Sequence, residues 1–181
     1  MKATINFDVA LLLKAQQVKV LFLDVDGVLT DGGLYFTEQG ETLKRFNTLD
    51  GHGLKLLQAC GITPAIISGR DSKSLRVRLE ALGITRAHFG VENKQKAAED
   101  LLNSMQTSWE KVASMGDDWP DIPIMQRSAL SCAPANAHPE VRALANYVTQ
   151  ARGGDGAVRE LCDLLLFANG SYENFLDEAA K

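Results

Sequence analysis

Short apolar runs alternate with segments of helical pattern along most of this 181-residue chain, and this alternation limits the possible folds more than any other feature. Each run has the length of a buried strand, and the segments between them carry apolar residues at helical spacing. A βαβα order of this kind gives a parallel, doubly wound sheet, so the predicted fold class is α/β. The predicted strands are 18–23, 63–67, 87–89, 111–115 and 129–132, and the predicted helices are 8–17, 51–59, 72–82, 94–105, 122–126, 139–145 and 157–168.

The first apolar run ends in two carboxylates, Asp24 and Asp26, which are separated by one residue and followed by Gly27 and Thr30. Ligands of open α/β sheets bind at the carboxyl ends of the strands. Two carboxylates this close repel each other, share a proton or hold a cation. The glycine suits a tight turn, and the threonine offers a hydroxyl that faces a phosphate. The pattern therefore predicts a magnesium-dependent phosphoryl site.

Polar groups also follow three later strands or loops. Ser68, Gly69 and Arg70 follow the second strand, and they suit a phosphate oxygen with a guanidinium close behind. Lys94 opens a helix, where its ammonium can neutralise a phosphoryl group. The segment 116–121 places three acids beside a glycine. Each feature has a structural alternative: a helix N-cap at Ser68, a solvated charge at Lys94, and a turn before a helix capped by Asp118.

Composition limits which partners the protein can bind and in which cellular compartment it is expected. A net charge of -4 and an isoelectric point near 5.4 argue against a general nucleic-acid binder. Three widely spaced cysteines in apolar surroundings indicate buried thiols rather than disulfides. The N-terminal segment lacks the pattern of a signal peptide, and no run reaches membrane-spanning length. The expected protein is cytoplasmic, with neither a nucleic-acid nor a membrane partner.

Between the first acids and Ser68 the chain has room only for a hairpin, predicted over 33–48 around a turn at 38–40. An isolated hairpin is marginal in water, so it should pack on the domain or on another subunit, with Tyr35, Phe36 and Phe46 as packing residues. The expected organisation is one domain over 1–181 without a large cap, ending in a loop and tail over 152–181. The part from 169 onward has little to bury and is expected to fray.

Taken together, these polar positions resemble the motifs of the haloacid dehalogenase superfamily of phosphatases, in the same order along the chain. The positions that carry the resemblance are Asp24, Asp26, Ser68, Lys94, Asp117 and Asp121. Within that superfamily, the segments around them are similar to those of the 3-deoxy-D-manno-octulosonate 8-phosphate phosphatase family. These segments are 24–32, the hairpin, 47–51, 68–70, 92–94, 116–118 and 152–159.

The resemblance implies a chemical role for each polar position. Asp24 would be the nucleophile, forming an aspartyl-phosphate, and Asp26 the acid and base for the leaving alkoxide and for water. Ser68 and Lys94 would bind the phosphoryl oxygens. Mg²⁺ would be the cofactor, held by the Asp24 carboxylate, the Asp26 backbone carbonyl and Asp117, with Asp118 and Asp121 orienting the metal shell.

The resemblance also implies a small sugar acid phosphate as substrate, in lipopolysaccharide precursor synthesis. A tetramer would assemble through the hairpins, and a C-terminal segment would reach a neighbour's site. Besides Asp26 and Lys94, the implied substrate contacts are Asn47, Thr48, Leu49, Asp50, Gly51, Lys55, Arg70, Arg78 and Arg152. Alternatives remain a helix cap for Asp50 and a surface charge for Arg78. Lys55 stands where some relatives carry arginine, and a lysine there keeps the charge but lacks the bidentate fork of a guanidinium.

Three other functions stay open at this point. A phosphatase of another nonulosonate-type sugar acid phosphate would use the same chemistry. A receiver-like signalling module also combines acids, a hydroxyl and a lysine on a doubly wound sheet, although its paired acids are typically adjacent. A catalytically inactive, interface-forming relative is the third, although every expected catalytic residue type is present.

Overall fold

The computed structural model describes residues 3–181 and contains one six-stranded parallel sheet and one hairpin. The strands are β1 (Val20–Leu23), β2 (Tyr35–Thr37), β3 (Gly40–Leu43), β4 (Thr63–Ile67), β5 (Ala87–His88), β6 (Val112–Met115), β7 (Leu130–Ala133) and β8 (Tyr147–Val148). The helices are α1 (Val9–Ala15), α2 (Thr48–Ala59), α3 (Lys73–Leu82), α4 (Lys94–Ser104), α5 (Ile122–Met125), α6 (Pro139–Leu144), α7 (Ala157–Ala168) and α8 (Tyr172–Ala179).

The strand order β5-β4-β1-β6-β7-β8 places β1 inside the sheet, paired in parallel with β4 and β6. The chain runs outward from β1 to β5 and then crosses back to β6, so the direction of winding reverses beside β1. A reversal of this kind opens a crevice at the carboxyl ends of the central strands. The predicted doubly wound α/β class is confirmed, and no large cap domain is present among the described residues.

Helices cover both faces of the sheet because side chains alternate along β1. Leu21 and Leu23 belong to the larger apolar cluster, which also holds buried residues of α2, α3 and α7. Val20 and Phe22 belong to the cluster on the other face, which is covered mainly by α4. All four side chains are at most 3% exposed, and full burial of each stabilises the fold by about 1.5–3 kcal/mol.

Side-chain caps fix where the helices next to the crevice begin. Asn47 accepts a hydrogen bond from the amide of Leu49 at the start of α2. Asn93 does the same for the amide of Lys96 at the start of α4. These caps satisfy amides that have no partner within the helix. As a result, Lys94 is the first residue of α4 and faces the crevice edge.

The C-terminal segment differs from its prediction. Residues from 169 onward were expected to fray, but they form α8, which packs on α7. Tyr172 stacks on Phe167 with 4.2 Å between ring centroids, and Phe175 packs against the larger apolar cluster. The prediction was wrong because these aromatic residues share one helical face and so have apolar surface to bury. The two-residue strand β8 was also not predicted.

The hairpin is present, but most of its apolar side chains face outward. Phe46 packs against the larger apolar cluster, as predicted. Tyr35 and Phe36 are 46% and 60% exposed, and Leu34 and Leu43 are 45% and 54% exposed. Tyr35 and Phe36 therefore do not serve as packing residues within this chain. Across residues 3–181, no helix is long and apolar enough to cross a membrane.

Candidate active site

The loop after β1 is a tight turn that presents Asp24 and Asp26. The amides of Leu29 and Thr30 both donate to the carbonyl of Val25, at 2.9 and 3.0 Å. Thr30 is 1% exposed; its hydroxyl donates to the Val25 carbonyl and accepts from the amide of Gly27. The prediction of a phosphate-facing hydroxyl at this threonine was wrong, because the turn itself uses the hydroxyl.

A cleft of 290 Å³ lies at the carboxyl ends of β1, β4 and β6, where the winding reverses. It brings together side chains from four separate parts of the sequence, as the strand-end argument predicts. Its lining consists of Asp24, Asp26, Ser68, Gly69, Arg70, Val91, Glu92, Lys94, Asp117, Asp118, Pro120 and Asp121.

Lys94 links the nucleophile candidate to the acidic loop after β6. Its ammonium lies 2.7 Å from Asp24 Oδ1 and 2.7 Å from Asp121 Oδ1. The alternative of a solvated charge is excluded, because the Lys94 side chain is only 7% exposed. Although burial alone would lower it, the two carboxylates raise the pKa of Lys94 above its usual range. The lysine therefore stays charged near Asp24.

Three carboxylates converge at this point with only one lysine between them. Oxygens of Asp24, Asp117 and Asp121 all lie within 4.8 Å of one another. Burial and the repulsion of Asp121, opposed by Lys94, raise the pKa of Asp24 to about 6. Burial and the charges of Asp24 and Asp121 raise the pKa of Asp117 to about 8. A cluster of hard oxygen donors with excess negative charge fits Mg²⁺, which would relieve this repulsion.

Two glycines shape the acidic loop: Gly27 lets it approach the turn after β1, and Gly116 lets it fold closely on itself. A Cβ on Gly27, whose φ is +95°, would lie 2.0 Å from Asp117 Oδ2. A Cβ on Gly116 would lie 2.2 Å from the Cβ of Asp121. Asp121 Oδ2 in turn accepts from the amide of Asp117 at 3.2 Å. Asp121 thus touches both Lys94 and the loop that carries Asp117.

Chelation should abolish activity if these carboxylates hold a metal ion. We expect turnover of a phosphomonoester to stop in excess EDTA and to return when Mg²⁺ is added beyond the chelator, because the carboxylate cluster otherwise remains uncompensated. The check is a steady-state phosphate-release assay on one preparation through the full cycle. Unchanged activity after exhaustive chelation would rule out a metal requirement.

Ser68 and Asp118 resolve two of the structural alternatives. Ser68 lies at the cleft with 1% exposure, and its oxygen accepts from the amide of Arg70 at 3.2 Å. It is not the cap of α3, since Ser72 takes that position. Asp118, by contrast, does cap the turn that follows it, accepting from the amide of Trp119 at 2.8 Å. Asp118 still lines the cleft, so its predicted part in orienting the metal shell remains a prediction.

Two charged residues of the hairpin reach the cleft edge and were missed from the sequence. Lys44 is hydrogen-bonded to Asp26, and its ammonium lies 2.8 Å from Glu41 Oε1. Glu41 also pairs with Arg70, whose Nη2 lies 3.2 Å from Glu41 Oε2. No local motif marks Lys44 or Glu41, because their contact with Asp26 depends on how the hairpin folds back over the cleft.

Several predicted sugar contacts gather at a different place. Asn47, Asp50, Gly51 and Arg78 line a small cavity of 10 Å³ together with Phe46 and other apolar residues. Arg78 Nη2 donates to the Asn47 carbonyl at 3.1 Å. A Cβ on Gly51 would lie 2.3 Å from this same nitrogen, so the glycine admits the arginine. Within one chain these residues stabilise the α2–α3 contact and do not line the cleft.

The remaining predicted sugar contacts are exposed and also lie outside the cleft lining. They are Thr48, Leu49, Lys55 and Arg152. Arg70 is the one predicted sugar contact, apart from Asp26 and Lys94, that lines the cleft in the described residues. A role in substrate binding for the others remains a prediction and would require movement or a neighbouring subunit.

Asp50 joins α2 to the beginning of α7. Its Oδ1 accepts from the amide of Arg159 at 2.7 Å, and the residue is 1% exposed. It is not the cap of its own helix, which is Asn47. Instead it satisfies an amide in the first turn of α7, whose own capping residue, Gly156, has no side chain to do so.

Replacing Asp50 should change how stability depends on pH. Burial raises the pKa of Asp50 to about 6, against the hydrogen bonds from the amides of Arg159 and Gly156. A raised carboxyl pKa means that the folded chain binds the proton more tightly, so this group costs stability as pH rises from about 4 to about 6. We therefore expect the free energy of unfolding of Asp50→Asn, relative to that of the wild type, to rise by up to about 3 kcal/mol between pH 4 and pH 7. Urea unfolding at both pH values measures this, and a constant difference would contradict it.

The fold and the site place this protein in the class of haloacid dehalogenase-like hydrolases. It has a parallel sheet, a cleft at the winding reversal of that sheet, and a lysine held between two aspartates. The family model of these hydrolases matches residues 88–161. The 3-deoxy-D-manno-octulosonate 8-phosphate phosphatase KdsC of Escherichia coli K12 is 48% identical over 166 residues, which is 92% of this chain and 86% of that protein. The chain belongs to the 3-deoxy-D-manno-octulosonate 8-phosphate phosphatase family of these hydrolases.

Solved structures agree with this membership. The crystal structure of the Yersinia pestis 3-deoxy-D-manno-octulosonate 8-phosphate phosphatase has a TM-score of 0.89 at 44% identity, covering 91% of this chain and 89% of that one. The Moraxella catarrhalis enzyme, in complex with magnesium, phosphate and KDO, has a TM-score of 0.90 at 35% identity, with 93% and 97% covered. The cobalt-bound form of the Haemophilus influenzae deoxy-D-mannose-octulosonate 8-phosphate phosphatase has a TM-score of 0.87 at 39% identity, covering 90% of this chain and 95% of that one. The receiver-like alternative has no support here.

Proposed function

We propose that this protein is a magnesium-dependent phosphomonoesterase that hydrolyses 3-deoxy-D-manno-octulosonate 8-phosphate through an aspartyl-phosphate on Asp24. One observation carries the chemistry: the Lys94 ammonium is hydrogen-bonded to Asp24, and Asp26 lines the same cleft. The names of the relatives support the choice of substrate and a place in lipopolysaccharide precursor synthesis.

The first half of the reaction transfers the phosphoryl group to Asp24. An Asp24 oxygen attacks phosphorus as the bond to the ester oxygen breaks, and the electron pair of that bond goes to the leaving oxygen. Asp26 gives its proton to this oxygen, so that a neutral alcohol departs. The Lys94 ammonium and the Ser68 hydroxyl stabilise the charge on the other phosphoryl oxygens.

The second half regenerates the enzyme. Asp26, now a carboxylate, takes a proton from water while the water oxygen attacks phosphorus, and the bond to Asp24 breaks to release phosphate. Asp24, Asp117 and the Asp26 backbone carbonyl would hold Mg²⁺, with Asp121 and Asp118 around them. When bound, the ion draws charge from the phosphoryl oxygens and offsets the repulsion between the carboxylates.

The proposed substrate is tested by a panel of phosphate esters assayed with Mg²⁺. The panel contains 3-deoxy-D-manno-octulosonate 8-phosphate, a nonulosonate 9-phosphate, generic sugar phosphates and p-nitrophenyl phosphate. We expect the first compound to have the highest kcat/KM. A preference for the nonulosonate ester would move the assignment to another sugar acid, and no preference at all would leave only a general phosphatase.

The capless single domain over 1–181 and its assembly belong to the same proposal. Without a cap, a neighbouring subunit is the natural cover for the cleft of a small-molecule enzyme. A homotetramer built through the hairpin is supported by its outward-facing apolar side chains, Leu34, Tyr35, Phe36 and Leu43. Light scattering at working concentration tests the tetramer.

Three free cysteines support a cytoplasmic location.

A further inference from the structure

Lys44 lies beside Asp26 where the hairpin meets the active-site loop. Its ammonium is hydrogen-bonded to Asp26 Oδ1 and lies 2.8 Å from Glu41 Oε1. The Lys44 side chain is 1% exposed, which is less than any other member of this charged group. A lysine ammonium so far removed from water is stable only beside opposite charge. Lys44 is therefore held in one place, and Asp26 Oδ1 is held with it.

Arg70, the second cation near Asp26, is placed differently. Its Nε is 3.9 Å from Asp26 Oδ2, its main partner is Glu41, and its side chain is 43% exposed. The Arg70 guanidinium is bound to Glu41 but remains accessible to a ligand in the cleft, whereas the Lys44 ammonium is enclosed between two carboxylates. The two cations therefore differ in function: Arg70 is available to substrate and Lys44 is committed to Asp26.

A carboxylate that transfers protons must present one oxygen to the reacting atoms in a constant orientation. Because Lys44 engages Oδ1 of Asp26, Oδ2 is the oxygen left for the cleft. We propose that Lys44 is a positioning residue that fixes the Asp26 carboxylate so that Oδ2 delivers the proton to the leaving oxygen and later accepts one from water. This inference rests on the function proposed above.

The hairpin gains a chemical role from this contact. Lys44 follows the last residue of β3 and reaches an aspartate 18 positions earlier in the chain. The hairpin thus contributes to the acid and base chemistry from within the same chain, in addition to any part in assembly.

The test compares two esters that differ in their need for an acid. An alkoxide leaves only when protonated, whereas p-nitrophenolate is a weak base and leaves without a proton. For Lys44→Met we expect kcat/KM to fall about 100-fold with 3-deoxy-D-manno-octulosonate 8-phosphate and to change little with p-nitrophenyl phosphate. Product inhibition by the free sugar acid should stay as in the wild type, because Lys44 does not bind the sugar.

Lys96→Met is the matched control. Lys96 is 70% exposed on α4, and its ion pair within residues 3–181 is with Asp100, four residues along the helix. It should leave both kcat/KM values and their ratio unchanged. Circular dichroism and thermal unfolding establish that each variant is folded.

Equal losses with the two esters, or no loss with either, would overturn the positioning role. Weaker inhibition by the free sugar acid would assign Lys44 to substrate binding instead and also overturn it. If Lys44→Met does not fold, Lys44→Gln carries the test, and an unchanged ratio of the two kcat/KM values contradicts the inference. Failure of the proposed function is seen separately, as absent magnesium-dependent turnover of both esters by the wild type.

Discussion

Asp24→Asn should lower kcat for phosphomonoester hydrolysis by about 10⁴-fold or more while leaving the protein folded. The amide is a poor nucleophile, and uncatalysed hydrolysis of a phosphate monoester is among the slowest reactions known. The fold should survive because Lys94 keeps Asp121 as a partner, at 2.7 Å. Replacing one of three crowded carboxylates with a neutral amide also removes repulsion. Initial rates and thermal unfolding of the purified variant measure the two effects.

Asp100→Asn provides the control for the same chemical change at an exposed position. In the described part of the chain, Asp100 forms its ion pair with Lys96 on the surface of α4, away from the cleft, so its variant should keep wild-type rates. Near-normal turnover by Asp24→Asn, confirmed free of deamidation by mass spectrometry, would remove Asp24 as the nucleophile.

Gly153→Ala should have the second large effect, on stability and activity together. A Cβ at this position would lie 1.7 Å from the carbonyl oxygen of Gly27 and 3.0 Å from that of Thr30. The Gly153 amide is also tied to Asn136 Oδ1 at 2.7 Å, so the loop cannot simply move away. We expect a loss of about 3 kcal/mol or more in the free energy of unfolding. The turn after β1 must shift, and a displacement of about 1 Å there costs about 100-fold in kcat.

Gly61→Ala separates this clash from ordinary backbone strain. Gly61 has a φ of +83°, but a Cβ there would meet nothing within 4 Å. It should cost about 1–2 kcal/mol and leave kcat unchanged. Urea unfolding and phosphate release on both variants give the comparison. If Gly153→Ala were no more damaging than Gly61→Ala, the loop at 152–156 would not support the active-site turn.

The sequence was sufficient to predict five of the six strands of the parallel sheet and the acidic centre of the cleft. Parallel strands end at one edge, so polar residues that follow β1, β4 and β6 had to meet there, and Asp24, Ser68 and Asp117 do. The spacing of apolar residues likewise located α2, α3, α4 and α7 to within a few residues. These features depend on local patterns and on the rule for parallel sheets.

Contacts between distant segments were not predictable in the same way. Lys44 meets Asp26 only because the hairpin folds back over the cleft, and Asp50 meets the amide of Arg159 across 109 residues of sequence. Thr30 has the residue type for a phosphate contact, yet its hydroxyl closes the turn. The stacking of Tyr172 on Phe167 likewise needed the packed α7 to be seen. In each case the residue type was informative, but its partner was set by tertiary structure.

The central claim is that Asp24 carries the phosphoryl group during turnover. Borohydride reduces an aspartyl-phosphate to homoserine, so the protein can be quenched with it during turnover and its peptides analysed by mass spectrometry. We expect homoserine at position 24, dependent on substrate and Mg²⁺, with Asp26 and Asp117 unmodified. Homoserine at the position of any other aspartate would contradict the mechanism. So would the absence of homoserine during sustained turnover, provided that a control acyl phosphate is reduced under the same conditions.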